Sequence, residues 1–366
     1  MHHFRKIDFL RGIAILTVFQ AHFLWYYFPA YGGMVVADSG HPAARVFLLN
    51  FLPRSIGWGG VTIFILVSGF LLHLGYLKDR QFTLRGFYSR RFWRVYPPYL
   101  LVLIAFSLFL EKGLFSSRDG WLTFLLHALS LQNLFTRTYF SVNPTFWCLA
   151  AEVQLYLLYA LFLYGRKRWG VKPMVGFTFL LSVAWQTVGM HVSSLAGALP
   201  WANAPVSLWF IWATGALLGE AYFEGKSLWS FLSRRDRLFA LGGLVVAVCV
   251  APIYALGQYA VAIIGVFFMD WFLHAKRITL QNWPARVVIT IGLCSFSIFL
   301  VHQPLIHVFI GLFNKSPLHY PGYRVVSGIL ATLAIFLLSY AMYHWVELPS
   351  IRIGNRLRQN NPSTRK

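Results

Sequence analysis

The feature that most limits what this chain can fold into is a series of apolar stretches long enough to cross a lipid bilayer. A helix rising 1.5 Å per residue crosses a hydrocarbon core in about 20 residues. Ten candidates occur, at roughly residues 9–29, 57–77, 97–111, 145–165, 173–190, 204–222, 238–256, 258–274, 287–311 and 324–346. The expected fold is therefore all-α and integral to a membrane, a polytopic bundle of about ten transmembrane helices. Composition agrees. Charged residues make up 12% of the chain, hydrophobic ones 58%, and the mean hydropathy is +0.59. A water-soluble domain carries about 25% charged residues, so an ordinary soluble enzyme is excluded.

A formal charge of +21 would suggest nucleic acid in a soluble protein, but here the charges lie between the apolar stretches. Lys and Arg concentrate on the cytoplasmic side of membrane proteins. With the N-terminus placed inside, 25 of the 32 fall on inner segments, and the seven outer ones are Arg45, Arg54, Lys112, Arg118, Arg137, Lys315 and Arg324. The alternation holds at every connection and places both termini in the cytoplasm. Topology thus accounts for the basic balance, with attraction to anionic membrane lipid compatible with it and no nucleic-acid module implied. The basic opening and the apolar run Ile13 to Phe28 read as a retained first helix, since no small-residue cleavage pattern follows. Cys148, Cys249 and Cys294 lie inside apolar stretches without metal-ligand spacing and are expected to be free and inert. The longest outer connection, about 111–144, holds the apolar stretch Trp121 to Leu131, too short to span and suited to the interface or to re-entry.

Ionisable groups inside spans are costly, and each invites a functional hypothesis. Most of the acids sit in inner connections or near inner ends; Glu152 is the exception, seven residues into the fourth span from outside. His22 lies about 13 residues into the first span and His302 about 15 into the ninth, which puts both roughly 20 Å from the inner surface. Glu152 and Ser68 fall near the same level. An imidazole and a carboxylate at one depth suit a base and its orienting group; the plainer alternative is that each bonds a neighbouring helix. Arg11 and His22 are eleven residues apart, three turns and about 20°, so they share a helix face with Arg11 about 16 Å nearer the cytoplasm. A long anionic donor with phosphates at the inner surface and its reactive end at the midplane would fit that spacing. Asp8, at i−3, can brace Arg11 or simply form a surface pair. Arg90, Arg91 and Arg94, just before Pro97 and Pro98, form a basic cluster ahead of the third span, either a topology anchor or phosphate ligands. Trp25 to Phe28 read as an interfacial aromatic belt, and Gly57, Gly59, Gly60 and Gly69 as close helix contacts. No GxSxG, HExxH, P-loop or GxGxxG motif occurs.

With these residues in view the chain resembles the acyltransferase 3 family of bacterial integral membrane proteins from end to end. The segment IDFLRGIAILTVFQAH is similar to the family's opening motif, at Asp8, Arg11, Gly12 and His22. GGVTIFILVSGFLL resembles the second-span motif, at Ser68 to Leu71, and RRFWRVYPPY the basic motif, at Arg90, Arg91, Arg94, Pro97 and Tyr99. PTFWCLAAEVQLY matches the Trp and Glu motif at Trp147 and Glu152, SFSIFLVHQPL the late His-x-Pro motif at His302 and Pro304, and ELP the closing Glu347 and Pro349.

The resemblance implies an enzyme that takes an acyl group, usually acetyl, from cytoplasmic acyl-CoA and delivers it to a hydroxyl of a glycan or related acceptor, in the bacterial inner membrane. It implies His22 as general base or acyl carrier with Glu152 orienting it. Arg11, Arg90, Arg91 and Arg94 would hold the phosphates of acetyl-CoA, Asp8 bracing Arg11, and Ser68, Trp147 and His302 would line the acceptor side; no metal is expected. One transmembrane domain is expected over residues 1–350, a short basic cytoplasmic tail over 351–366, and no C-terminal esterase-like domain. Outer connections 30–56 and 112–144 are the expected acceptor contacts. A transporter or flippase of a glycan or lipid-linked precursor is the alternative from another class, although no inverted repeat or matching pair of broken helices is visible.

Overall fold

The computed structural model describes residues 5–27, 54–111, 113–192, 199–249, 254–315 and 322–359. Within them the chain is helical and no strand occurs. The helices are α1 (Arg5–Tyr27), α2 (Arg54–Lys78), α3 (Leu84–Phe109), α4 (Arg118–Ala128), α5 (Phe146–Trp169), α6 (Val171–His191), α7 (Pro205–Phe223), α8 (Arg234–Cys249), α9 (Tyr254–His274), α10 (Trp283–Leu293), α11 (Ser295–Asn314) and α12 (Tyr323–Met342). A π turn, Tyr343–Glu347, joins α12 to α13 (Leu348–Gln359). Among the described residues seven helical segments are long and apolar enough to cross a membrane: Arg5–Tyr27, Gly59–Lys78, Leu84–Phe109, Phe146–Trp169, Pro200–Phe223, Ser295–Asn314 and Tyr323–Leu357. The protein is an all-α, multi-pass membrane protein.

α2 lies at the centre, packed between α1 and α7. Small residues permit that approach: a Cβ on Gly60 would meet the Ala14 carbonyl oxygen at 2.6 Å, and one on Gly69 the Trp212 carbonyl oxygen at 2.0 Å. Gly57 also faces α1, whereas Gly59 meets nothing, so three of the four expected glycine contacts are present. Away from the packing seams, side chains such as Leu108, Phe109, Leu157, Leu161 and Leu337 stay exposed, as lipid-facing residues do. Lys6 sends its ammonium to the carbonyls of Phe272, Leu273 and Ala275, capping the end of α9. A buried ion cluster ties three helices, with Glu220 of α7 taking His73 of α2 at 2.8 Å and Arg166 of α5 at 2.6 Å.

Several expectations change. The third span does not start at residue 97: α3 begins at Leu84, capped by the Thr83 hydroxyl accepting from the Gly86 amide, and Pro97 and Pro98 lie inside it. The basic cluster is therefore helical and projects from α3. The ninth span is interrupted at Cys294 (φ −87°, ψ 4°), which separates α10 from α11. Gly12 and Gly292 bring α10 against α1, Gly292 facing the Asp8 carbonyl. Asp8, Glu220, Asp270 and Glu347, read as lying in inner connections or near inner ends, are all buried, whereas Glu152 is half-buried. Tyr27 is buried, and Tyr26 turns to α11, so of the aromatic belt Trp25 stays exposed while Phe28 lies outside the described residues. The expected tail begins as helix, α13, whose Ser350 hydroxyl donates to the Trp93 carbonyl and whose Gly354 faces the Trp93 ring. Most of the 30–56 connection, Lys112 and residues 360–366 lie outside the described residues.

Candidate active site

The site is built from α1, α2, α3, α5 and α11 around a pocket lined by Arg11, Ser68, Arg91, Arg94, Glu152 and Tyr156, with Phe299 and Cys148 in its wall. Arg91 and Arg94 share a face of α3 at i and i+3. The α3 start at Leu84 carries them into the bundle, and the half-buried Arg91 packs its guanidinium 5.8 Å from the Phe87 ring and 6.0 Å from the Tyr156 ring. Its Nε has no hydrogen-bond partner among the described residues. Arg11 donates from Nη2 to the Ser295 hydroxyl at 2.8 Å and has Asp8 3.9 Å from Nη1. Arg90 points elsewhere and pairs with Asp79 at 3.7 Å.

The counter-charge is held on two sides. Glu152 Oε1 accepts from the Ser68 hydroxyl at 3.1 Å and the Tyr156 hydroxyl at 2.6 Å, Tyr156 lying one turn further along α5. Glu347, in the π turn, accepts from the Ser297 hydroxyl at 2.7 Å and interacts electrostatically with Arg94 and Arg11. Three guanidiniums in a poorly solvated pocket attract an anion far more strongly than they would in water.

Beyond the pocket, α1 and α11 bring two histidines together. His302 Nδ1 lies 3.1 Å and 3.0 Å from the carbonyl oxygens of Ile298 and Phe299, so that nitrogen carries the proton. Its Nε2 is then the acceptor for His22 Nδ1, 3.1 Å away. His22 must donate from Nδ1, which leaves its Nε2 as a bare lone pair, the form a general base requires. Phe19 and Phe299 flank the His302 ring, and Phe299 also walls the pocket.

The four groups expected at one depth therefore separate into two pairs, Ser68 with Glu152 and His22 with His302. Glu152 reaches Ser68 and Tyr156, not His22, and the groups that orient His22 are His302 and the backbone of Val18. The depth count for His302 ran across the break at Cys294, so its match to His22 comes from the packing of α11 on α1. Trp147 is buried and stacks on Tyr139 at 5.8 Å, outside the pocket wall. Tyr156, Ser295, Ser297 and Glu347 were not among the residues expected at the site. A turn-spaced partner search from Glu152 would have found Tyr156; the serines and Glu347 depend on the Cys294 break and the π turn, which leave no mark in hydropathy.

An all-helical membrane bundle with paired histidines beside an arginine-lined pocket is the framework of a membrane-bound group-transfer enzyme. The chain belongs to the acyltransferase 3 family, whose profile, described as an acyltransferase domain, matches residues 4–344. It is similar to the peptidoglycan O-acetyltransferase OatA of Listeria monocytogenes, 24% identical over 384 aligned positions that cover 95% of this chain and 56% of that protein. It is also similar to an uncharacterized protein of Haemophilus influenzae, 33% identical over 116 residues, 28% of this chain and 47% of the other. The chain thus spans about half the length of the curated relatives it matches. No solved structure matches it.

Proposed function

We propose that the protein transfers an acetyl group from cytoplasmic acetyl-CoA to a hydroxyl of a cell-surface glycan, in the inner membrane and with both termini in the cytoplasm. The observation that carries this reading is the hydrogen-bond order Phe299 carbonyl, His302, His22, which ends on a free imidazole nitrogen one wall away from three arginines. Arg11, Arg91 and Arg94 hold the donor's phosphates, and the unpartnered Arg91 Nε is the donor group best placed to take one. Asp8 and Ser295 hold Arg11 in position. In the transfer step the acceptor oxygen bonds to the acyl carbon and the carbon–sulfur bond breaks. The hydroxyl proton passes to His22 Nε2 and from there to the departing thiolate. As His22 becomes cationic, His302 Nε2 keeps its hydrogen bond to it.

The test uses purified protein in vesicles with acetyl-labelled acetyl-CoA supplied on one side at a time. The parent should release CoA and label glycan only when the donor is on the face carrying the termini. His22→Ala should abolish both while leaving the protein folded; a fully active His22→Ala variant would remove the base from the mechanism.

A further inference from the structure

The hydrogen-bond order that ends on His22 is not the last contact between α1 and α11. The two helices run in the same sense: Arg11 meets Ser295, His22 meets His302, and one turn past His22 the Tyr26 phenol meets Gln303. Gln303 donates from Nε2 to the Tyr26 oxygen at 2.8 Å. The Tyr26 ring rests on the His307 ring with centroids 4.0 Å apart, and His307 follows Gln303 by one turn. This third contact lies on the side of the histidines away from Arg11.

The Tyr26–Gln303 pair is incomplete. Gln303 is 4% exposed, yet its Oε1 has no hydrogen-bond partner among the described residues. A buried amide oxygen without a donor is costly in any protein and more so in hydrocarbon. A leucine would fill the same space without that cost. The groups left over are informative. With its oxygen occupied by the amide, Tyr26 retains an O–H to give, and Gln303 retains an oxygen to accept. Turning the amide end for end exchanges the roles, the Tyr26 oxygen then accepting and the amide N–H groups giving, so a donor and an acceptor stay side by side either way. A donor beside an acceptor is the complement of an alcohol group, which both gives and takes a hydrogen bond. A carboxylate or phosphate would leave the acceptor facing negative charge, and an apolar chain would satisfy neither.

Resting on the acyl-transfer reading above, we propose that Tyr26, Gln303 and His307 form an acceptor subsite that holds a hydroxyl of a polyhydroxylated acceptor other than the one being acylated. Tyr26 is four residues from His22, about 6 Å along the helix. A hydroxyl held there places a neighbouring hydroxyl of the same sugar back toward His22 Nε2. The donor's anionic end, the base and the sugar cradle then follow one another along one helix pair.

The test uses parent, Tyr26→Phe and Gln303→Leu in vesicles with labelled acetyl-CoA and solubilised peptidoglycan glycan strands as the acceptor probe. Both variants should raise the KM for glycan strands about tenfold or more, the effect of losing one buried hydrogen bond. The KM for acetyl-CoA should stay within about twofold of the parent, a margin well below the loss of one such bond. Gln303→Leu should melt at the same temperature as the parent or higher, because it removes an unsatisfied group; a purely structural amide would instead lower the melting temperature and leave both KM values alone. Unchanged acceptor KM in both variants, with the parent active, overturns the subsite and spares the transfer reading. A parent that labels no glycan overturns the glycan-acceptor reading and the subsite with it. If Gln303→Leu does not fold, Tyr26→Phe, which keeps the ring on His307, decides the matter alone.

Discussion

At the scale of single residues, Arg91 and His302 carry the sharpest expectations. Arg91 is half-buried beside two aromatic rings, its Nε without a partner among the described residues, so its value lies in what it binds. Arg91→Ala should raise the KM for acetyl-CoA by roughly 10- to 100-fold, the loss of one charge-assisted hydrogen bond, with kcat little changed. An unchanged donor KM in steady-state kinetics would reduce Arg91 to a packing residue. His302 acts through His22. His302→Leu should lower kcat by about 100-fold, within the range a general base supplies, because His22 loses the side-chain acceptor that helps fix its tautomer and orientation. His302→Gln, whose amide can also give to a carbonyl and accept from His22, should recover part of that loss and shift the acid limb of the kcat profile. Equal activity of the Leu and Gln variants would mean the ring is there only for packing.

At the scale of elements, α4 and the loop behind it are fastened by His127, whose Nδ1 lies 2.9 Å from the Thr123 carbonyl and Nε2 3.0 Å from the Ser141 carbonyl. Burial holds the His127 imidazolium below its ordinary pKa, opposed by the pull of those two carbonyls. The unfolded chain therefore takes up a proton that the folded chain resists, and stability falls as pH drops through about 6.5. In thermal melts the parent should lose more than His127→Gln between pH values on either side of that point; parallel curves would show His127 to be irrelevant. How much of this was legible in sequence varies with the physics involved. Spans built on unbroken hydropathy, such as α1, α2 and α5, stand where they were expected. α3 was not, because arginines that look like a connection are tolerated inside a helix once they face a polar pocket, and Pro97 and Pro98 do not end it. Arg11, Ser68, Glu152, His22 and His302 were legible as costly groups in apolar surroundings. Their partners were not, since partner choice is a property of helix packing. That is why Glu152 was matched to His22 when it bonds Ser68 and Tyr156, and why Gln303 went unnoticed next to His302.

At the scale of the whole molecule, the break at Cys294 sets how the parts communicate. α10 is clamped to α1 by the contacts of Gly12 and Gly292, whereas α11 beyond the break meets α1 through polar rungs at Arg11, His22 and Tyr26 and through apolar clusters that join Ile15 to Ile298 and Phe19 to Ile306. Ser295 and the proposed acceptor subsite thus lie on one helix beyond the break. If a donor anion that draws Arg11 away from Ser295 shifts α11, binding free energies at the two ends are linked, and linkage is reciprocal. If CoA tightens glycan binding by some factor, glycan must tighten CoA binding by the same factor, which calorimetry on His22→Ala protein can measure in both directions without turnover. Independent affinities would mean that α11 is rigid across the break. Coupled ones would give the enzyme a way to keep its thioester from water until an alcohol has arrived, a safeguard written into one bend of one helix.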